Sequence, residues 1–504
     1  MYFNKYVSRD NLLLIIILCI GIFLRFYNFP HQYVFDPDAI RDAIVAYQGA
    51  TTHFYPQVGS FSSTGPYTFG PWYYIGIITA DIIFPSPYTP WVSMGIASLF
   101  TIFFMYKIGE LLASKKLGIL LAFLTCIAPS EIIAGTGLSN IYPVPLFTII
   151  SLWLTVKLVK TKKPNYLVYL LLGVSLGLGI NAHYQMLGLL FLPLFLWIYK
   201  GWKNYKIFLL IGLGLFITFI PLLLFNLHMN WHTLRGIQEM YLSRGRIYVP
   251  NSWKIYLLHF WPNLISYIFG TPYIASILII LGIMFIFCWQ TIKKQLQPGL
   301  VLITLALLFN IIWLRFYWGQ RFFAYLYYLE PILLIFTGYM IYSLRKIKYG
   351  IILSIIFFLS IGISSLIGDT HRPSMPDPLS ESVRNETYLL RKAYPNQHII
   401  LYTCNSKPDI QAQSVAYLLE FDKVENSSTK NIAILDNNKC IFPKVAGYNK
   451  LYATSSATVS RRAFPSINDT PFVDFSAATA SAIKKASWKV VSTHSVFKKT
   501  VQWY

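Results

Sequence analysis

Charge is what this chain has least of. Only 12% of its 504 residues are charged, where a soluble domain carries about 25%. That scarcity, set against 55% hydrophobic residues and a mean hydropathy of +0.51, excludes an ordinary soluble fold and points to lipid as the solvent. Acids are the scarcer sign, with 20 Asp and Glu against 42 Lys and Arg, a net charge of +22. Such a surplus invites a nucleic-acid reading. It is rejected here because the basic residues sit in short clusters between apolar runs, as the positive-inside rule predicts for a membrane protein. Cysteine is scarce too, and five are too few for a disulfide scaffold. Cys19, Cys126 and Cys288 lie in apolar runs and read as small buried hydrophobes. Cys404 and Cys440 lie in the polar tail, where pairing requires an oxidising compartment.

What is abundant is the apolar run. The sequence predicts an all-α polytopic membrane protein with about eleven transmembrane helices. The expected spans are 11–27, 89–112, 117–137, 139–158, 165–181, 184–200, 206–226, 273–290, 299–316, 323–343 and 350–367. The first run lacks a clear small-residue cleavage site and reads as a retained helix, not a signal peptide. Orientation follows from the basic clusters. Lys5 and Arg9, Lys115 and Lys116, Lys160 to Lys163, Lys200 to Lys206, Lys293 and Lys294, and Arg345 to Lys348 all fall on one side if the N-terminus is cytoplasmic. The expected location is the plasma membrane.

The opposite, outer side then receives loops 28–88 and 226–272, a shorter loop around Arg315–Arg321, and the tail. Within the first, WYYIGIITADIIF (72–84) is too short to span and suits a helix lying at the interface, with Trp72, Tyr73 and Tyr74 at headgroup level. After Gly368 the composition turns polar. HIILYT (398–403) and NIAIL (431–435) read as strands, DIQAQSVAYLLE between them as a helix, and the closing WKVVSTHSVFKKTVQWY as one or two strands. The expected organisation is a membrane module over 1–368 and a small outer-face α/β domain over 369–504.

Chemistry-bearing residues gather on the outer side. YVFDPDAIRDAIVA (33–46) crowds Asp36, Asp38 and Asp42 around Arg41. Pro37 opens a helix that Asp36 caps, and Asp38 and Asp42, spaced i, i+4, share one face. Asp36 as a plain cap and Asp42 as a solvated charge are the structural alternative. The functional one is an acid/base or metal site. PQVGSFSSTGPYTFGPWYY (56–74) reads as an extended loop, or as a rigid one whose backbone and aromatic groups, Tyr67 and Tyr73 among them, hold a sugar. Glu131, in APSEIIAGTGLSN, is an acid at a depth that is costly unless it is paired or functional, and Asp81 is a weaker case. His183, in NAHYQ, lies at the turn between two helices and serves either as a hydrogen-bonded structural residue or as a substrate contact. Arg235, Arg244, Arg246, Arg315 and Arg321 stand on the side where arginine is depleted. Their guanidiniums suit a phosphate headgroup or anionic lipid in general.

FDPDAIRDAIVA followed by GSFSSTGPYTFGPWYYIG resembles the first outer loop of GT-C-type membrane glycosyltransferases. The likeness is nearest to the bacterial branch related to protein O-mannosyltransferases and the lipid A aminoarabinose transferase. SNIYPVPLF, the NAHYQ turn, PLLLFNLHMNWHTLRGI and QRFFAYLYYLEPILL follow in matching order over residues 1–345. The resemblance implies a polyprenyl-phosphate-linked sugar donor bound at the outer leaflet and inverting transfer to a glycan, lipid or protein acceptor. It makes an acid of the first outer loop the general base, here Asp38 or the nearby Asp36, and places Glu131 as a further acidic site residue. Many relatives carry an Asp–Glu pair, and this chain has Ala39 at the Glu position. Which acid is the base stays open, and so does the need for a divalent metal (Mg or Mn) on Asp36, Asp38 and Glu131. Arg41, Asp42, Tyr67, Tyr73, His183, Arg244, Arg246, Arg315 and Arg321 are the expected substrate contacts. The rival readings are a transporter or flippase of lipid-linked sugars, which would place ionisable groups near the midplane within repeats, a polymerase of such sugars, and a non-catalytic scaffold.

Overall fold

The computed structural model describes residues 9–62, 65–162, 165–201, 203–243, 252–317 and 322–345. Beyond these it describes 350, 352, 381, 383–385, 387–388, 391, 398–403, 410–421, 431–436, 473–474 and 489–490. The helices are α1 (Arg9–Phe26), α2 (Phe29–Gln32), α3 (Pro37–Thr52), α4 (Trp72–Ile83), α5 (Thr89–Leu112), α6 (Lys115–Ile127), α7 (Pro129–Thr136), α8 (Val144–Lys160) and α9 (Tyr166–Ala182). They continue with α10 (Phe191–Lys200), α11 (Tyr205–His228), α12 (His232–Ser243), α13 (Trp253–Ile255), α14 (Trp261–Phe269), α15 (Tyr273–Ile292), α16 (Pro298–Phe316), α17 (Glu330–Leu344) and α18 (Ile410–Glu420).

The first ten expected spans each meet helix, and the last, 350–367, lies almost wholly outside the described residues. Among the described residues, α5, α11, α15, α16 and the segment Phe323–Leu344 are each long and apolar enough to cross a membrane. The run expected as one span over 117–137 is instead α6 and α7, bent by 61°. The cause is Pro129 in the first turn of α7, which cannot donate to the preceding turn and so ends α6 at Ile127. Two other expected spans begin as 3-10 turns, Tyr184–Leu189 and Phe323–Leu329, which run on into α10 and α17. Of the cysteines in apolar runs, Cys126 is buried, but α1 and α15 turn Cys19 and Cys288 outward, so these two are exposed. Cys404 and Cys440 lie outside the described residues.

The chain divides into two compact units. The first comprises Met1–Tyr27, Pro56–Gly76 and Trp91–Pro373. Its main core draws most on α8, α9, α14, α16 and α17, with side chains from α5, α6, α10, α11 and α15. Here α9 and α11 pack backbone against backbone. A Cβ on Gly173 would stand 2.0 Å from the Ile211 carbonyl oxygen, and one on Gly214 2.2 Å from that of Leu170, the small-residue contact that membrane helices favour. Asn310 of α16 is the polar pin of this core. It donates to the carbonyls of Gly188 and Ala306 at 3.0 and 2.8 Å and accepts from the Tyr328 hydroxyl at 2.8 Å. Both 3-10 turns are thereby tied to one buried amide, which in a low-dielectric interior is costly to leave unpaired.

The second unit comprises Asn28–Tyr55, Ile77–Pro90 and Ser374–Tyr504. Here α3 packs on α18, with the Tyr47 ring 6.3 Å from Tyr417 and 4.7 Å from Phe421. The Tyr417 hydroxyl donates to the Pro87 carbonyl at 2.9 Å. Four strands form a mixed sheet: β1 (His398–Thr403), β2 (Asn431–Asp436), β3 (Val473–Asp474) and β4 (Lys489–Val490), in the order β3-β2-β1-β4. β1 and β2 are parallel, His398 opposite Asn431, and α18 lies in the crossover between them, as parallel neighbours require. β4 runs antiparallel to β1 and β3 antiparallel to β2.

Candidate active site

The acids that follow α1 and α2 form a fork. Asp36 is the N-cap of α3, and its Oδ1 accepts the Ala39 N–H at 2.8 Å. Two residues on, Asp38 accepts from Arg41 Nη1 at 2.7 Å, and Asp42 accepts from Arg41 Nε at 2.8 Å. The i, i+4 spacing does put Asp38 and Asp42 on one face, and one guanidinium bridges them. The environments differ sharply: the Asp38 side chain is 58% exposed and that of Asp42 fully buried. A buried carboxylate requires such a partner. Burial pushes the Asp36 carboxyl up to about 6, and the nearby charges of Asp38 and Asp42 push the same way, against the Ala39 N–H. The fork thus holds an exposed, charge-paired acid beside one poised to titrate near neutrality.

In the first unit, loop 56–72 is clamped from both sides. The Tyr184 hydroxyl donates to the Thr68 carbonyl at 2.7 Å, and the Thr68 and Thr233 hydroxyls pair at 3.1 Å. The Trp72 indole donates to the Thr218 carbonyl at 2.6 Å, and the Gly70 N–H to that of Asn181 at 2.9 Å. Asn226 holds the start of α12 by accepting the Thr233 N–H at 3.0 Å. The clamped loop walls a cavity of about 430 Å³. Tyr67 and Phe69 close one side, and Phe216, Phe219 and Leu222 of α11 line another. Trp231, Trp313 and Tyr317 are also part of its wall, as is His183. Tyr67 is buried in this aromatic cluster, and Tyr73 is buried nearby in the chain, on α4.

Glu131 is fully buried in the first turn of α7, and neither of its carboxyl oxygens meets a hydrogen-bond donor among the described residues. Arg25, itself fully buried, supplies an opposite charge, but its guanidinium reaches the Glu131 backbone carbonyl and not the carboxyl oxygens. Ser130 donates to the Oε2 of Glu330, another fully buried acid, at 2.9 Å. Sequence reasoning missed both Glu330 and Arg25. The signal was there, since an ionisable side chain inside an apolar run is costly wherever it occurs, and YLEPILL and IFLRF both carry one.

The guanidinium of Arg315 lies over the Trp253 ring at 5.1 Å and over Phe316 at 5.7 Å. Arg244, Arg246 and Arg321 lie outside the described residues. Among the described residues, no group of three or more His, Cys, Asp or Glu is placed to hold a metal ion. The fork's carboxylates are already engaged by Ala39 and Arg41.

No family model matches the chain, and no curated protein sequence does either. Solved structures do. ArnT from Cupriavidus metallidurans in the apo state matches with a TM-score of 0.55, over 86% of this chain and 87% of that one, at 9% identity. The same protein bound to undecaprenyl phosphate matches with a TM-score of 0.51, over 81% and 74%, at 11% identity. The chain has the fold of ArnT. That fold is the GT-C-type membrane architecture which the order of sequence motifs implied, and the likeness is one of fold. The archaeal oligosaccharyltransferase AglB from Archaeoglobus fulgidus, in complex with an inhibitory peptide and a dolichol-phosphate, matches with a TM-score of 0.48, over 85% and 61%, at 13% identity.

Proposed function

We propose that this chain is a membrane glycosyltransferase that moves a sugar from a polyprenyl-phosphate carrier to an acceptor at the outer face of the plasma membrane. The observation that carries the reading is the cavity: an apolar, aromatic-walled space within a fold whose ArnT relative is seen bound to undecaprenyl phosphate. Such a space suits an isoprenoid and the ring attached to it. Asp38 is the proposed base, with Asp36 and Glu131 next. The base takes the proton of an acceptor hydroxyl, and the oxygen attacks the anomeric carbon. The bond from that carbon to the phosphate oxygen breaks on the opposite face, with inversion. Arg41 and Asp42 hold the base in place. Arg315, with Arg244, Arg246 and Arg321, steadies the charge gathering on the departing phosphate, and Tyr67, Tyr73 and His183 contact the donor.

The proposal includes about eleven spans, a cytoplasmic N-terminus and an outer tail beyond 369, on the one-sided basic clusters. The acceptor is a glycan, a lipid or a protein. No step is routed through a metal. The alternative, a Mg or Mn ion on Asp36, Asp38 and Glu131, predicts that EDTA abolishes transfer. The deciding experiment supplies the purified protein in nanodiscs with radiolabelled polyprenyl-phosphoryl sugars and an envelope lipid extract. Transfer of label with release of polyprenyl phosphate supports the reading. Label crossing a liposome membrane with its carrier bond intact supports a flippase instead, and growing chains of label support a polymerase.

A further inference from the structure

The cavity has a feature that a lipid groove does not need. His183, in the turn between α9 and the 3-10 segment, lines it. Its ring lies between two aromatic rings, Phe69 at 5.1 Å and 26° and Tyr325 at 4.9 Å and 33°. The backbone holds it there: the His183 N–H donates to the Gly179 carbonyl at 2.9 Å, and Asn140 donates to the Ala182 carbonyl at 2.6 Å. The ring's Nδ1 is buried and meets no hydrogen-bond partner among the described residues. Asn226 and Thr233 of the wall are already engaged, Asn226 with Leu222 and Thr233, and Thr233 with Thr68. The Gln185 amide, next but one to His183, is buried without a hydrogen-bond partner among the described residues and adds a second neutral group for a ligand hydroxyl. A buried ring nitrogen left without a partner costs free energy, which a ligand hydroxyl or amide recovers on binding.

Charge decides which part of the donor this is. Among the described residues that line the cavity there is no Lys, Arg, Asp or Glu. Burial holds the His183 imidazole down to about 3, so it is neutral at physiological pH. A phosphate drawn into this wall would be buried without a counter-charge. A sugar ring suits it better, with its C–H face against an aromatic ring and its hydroxyls seeking neutral partners.

We propose that the part of the cavity wall made by His183, Phe69 and Tyr67 is the seat of the donor's sugar ring, with His183 as the hydrogen-bonding group that distinguishes a sugar-bearing carrier from a bare one. The proposal rests on the glycosyltransferase reading and names the subsite within it.

Its test uses the full chain in nanodiscs and measures the affinity of undecaprenyl phosphate alone and of undecaprenyl-phosphoryl mannose, glucose and 4-amino-arabinose. Wild type should bind at least one sugar-bearing lipid more tightly than the bare one. His183→Phe keeps an aromatic ring in the stack and removes both nitrogens. It should weaken that sugar-bearing lipid about tenfold, the worth of one buried hydrogen bond, and leave the bare lipid within about twofold. Equal losses for both lipids would make His183 a phosphate or lipid contact, and no loss for either would remove it from the site; both overturn the proposal. If wild type binds none of the four lipids, the donor class itself is wrong. If the variant fails to fold, wild type decides. A diazirine on the sugar should cross-link to peptides carrying 67–69 or 183, and labelling confined to other peptides overturns the subsite.

Discussion

The guanidinium of Arg25, near the end of α1, donates to the Ser98 hydroxyl of α5 at 2.8 Å. It also reaches the carbonyls of Cys126 at 3.2 Å and Glu131 at 3.4 Å, so one side chain fastens α1 to both sides of the break between α6 and α7. Removing one partner of a buried charge pair costs about 3–5 kcal/mol because the other charge is left uncompensated. Arg25→Met should therefore lower the thermal midpoint in detergent sharply, and adding Glu131→Gln should restore part of it. Strict additivity of the two changes would show that these charges do not compensate each other. Glu131→Gln alone separates the two roles open to that acid. Loss of turnover at unchanged stability marks a site residue, and loss of both marks a structural one.

Asp36 makes a pH prediction with opposite signs for two readouts. Its folded-state value, about 6, lies above the ordinary 3.8. Between those values the folded chain holds a proton that the unfolded chain has released. This group's contribution to stability is therefore full below 3.8 and is lost as pH rises through 6. Activity that needs the carboxylate rises over the same window. Asp36→Asn keeps a good N-cap and should flatten both limbs. A pH–rate profile still bending near 6 in that variant would assign the titration to another group.

Asp38 is exposed and Asp42 buried, so substitutions should part company. Asp38→Asn should cost about 10²- to 10⁴-fold in turnover, the usual loss for a general base, with stability held within about 0.5 kcal/mol as for other surface changes. Asp42→Asn leaves Arg41 without its buried partner and should lower the melting temperature as well. Near-normal turnover of a folded Asp38→Asn protein would move the base to Asp36.

How far the sequence reached is visible in particular residues. The Asp36 cap, the shared face of Asp38 and Asp42, and the short helix at Trp72–Ile83 follow from local rules of spacing and capping, and they are there. So are the two strands and the helix between them in the tail. The 61° break at Pro129 was legible in principle, because proline in an apolar run removes a helix donor. The meeting of Ser130 with Glu330, 200 residues apart, was not. Neither was the sandwich of His183 between Phe69 and Tyr325, since no local pattern encodes which distant turn fills a given space.

Arg315 tests the role proposed for the arginines. Its planar guanidinium lies over Trp253, and a lysine cannot reproduce either that stacking or a two-pronged grip on phosphate. Arg315→Lys should raise KM for the polyprenyl-phosphoryl donor and lower kcat, because the leaving phosphate gains charge as its bond breaks. Unchanged constants would confine this arginine to packing or bulk lipid, and the same substitution at Arg244, Arg246 and Arg321 would then locate the phosphate.

Gly236 tests whether the cavity wall matters to the carrier. On α12 its Cα faces loop 56–72 so closely that a Cβ would stand 1.9 Å from the Pro66 carbonyl oxygen. The obstacle is backbone, so Gly236→Ala must push the loop away from α12. Within the helix itself alanine is the better residue, by about 0.5–1 kcal/mol, so the helix should persist while the loop is displaced. Tyr67, which follows Pro66 and closes one side of the cavity, would move with it. The expected result is a normal melting temperature with a tenfold or greater loss of undecaprenyl-phosphate affinity, read from quenching of the wall residues Trp231 and Trp313. Gly212→Ala is the control, because a Cβ there meets nothing within 4 Å, and it should change neither quantity. Full binding by Gly236→Ala would show that the carrier does not depend on this wall, and the cavity would lose its place in the proposed function.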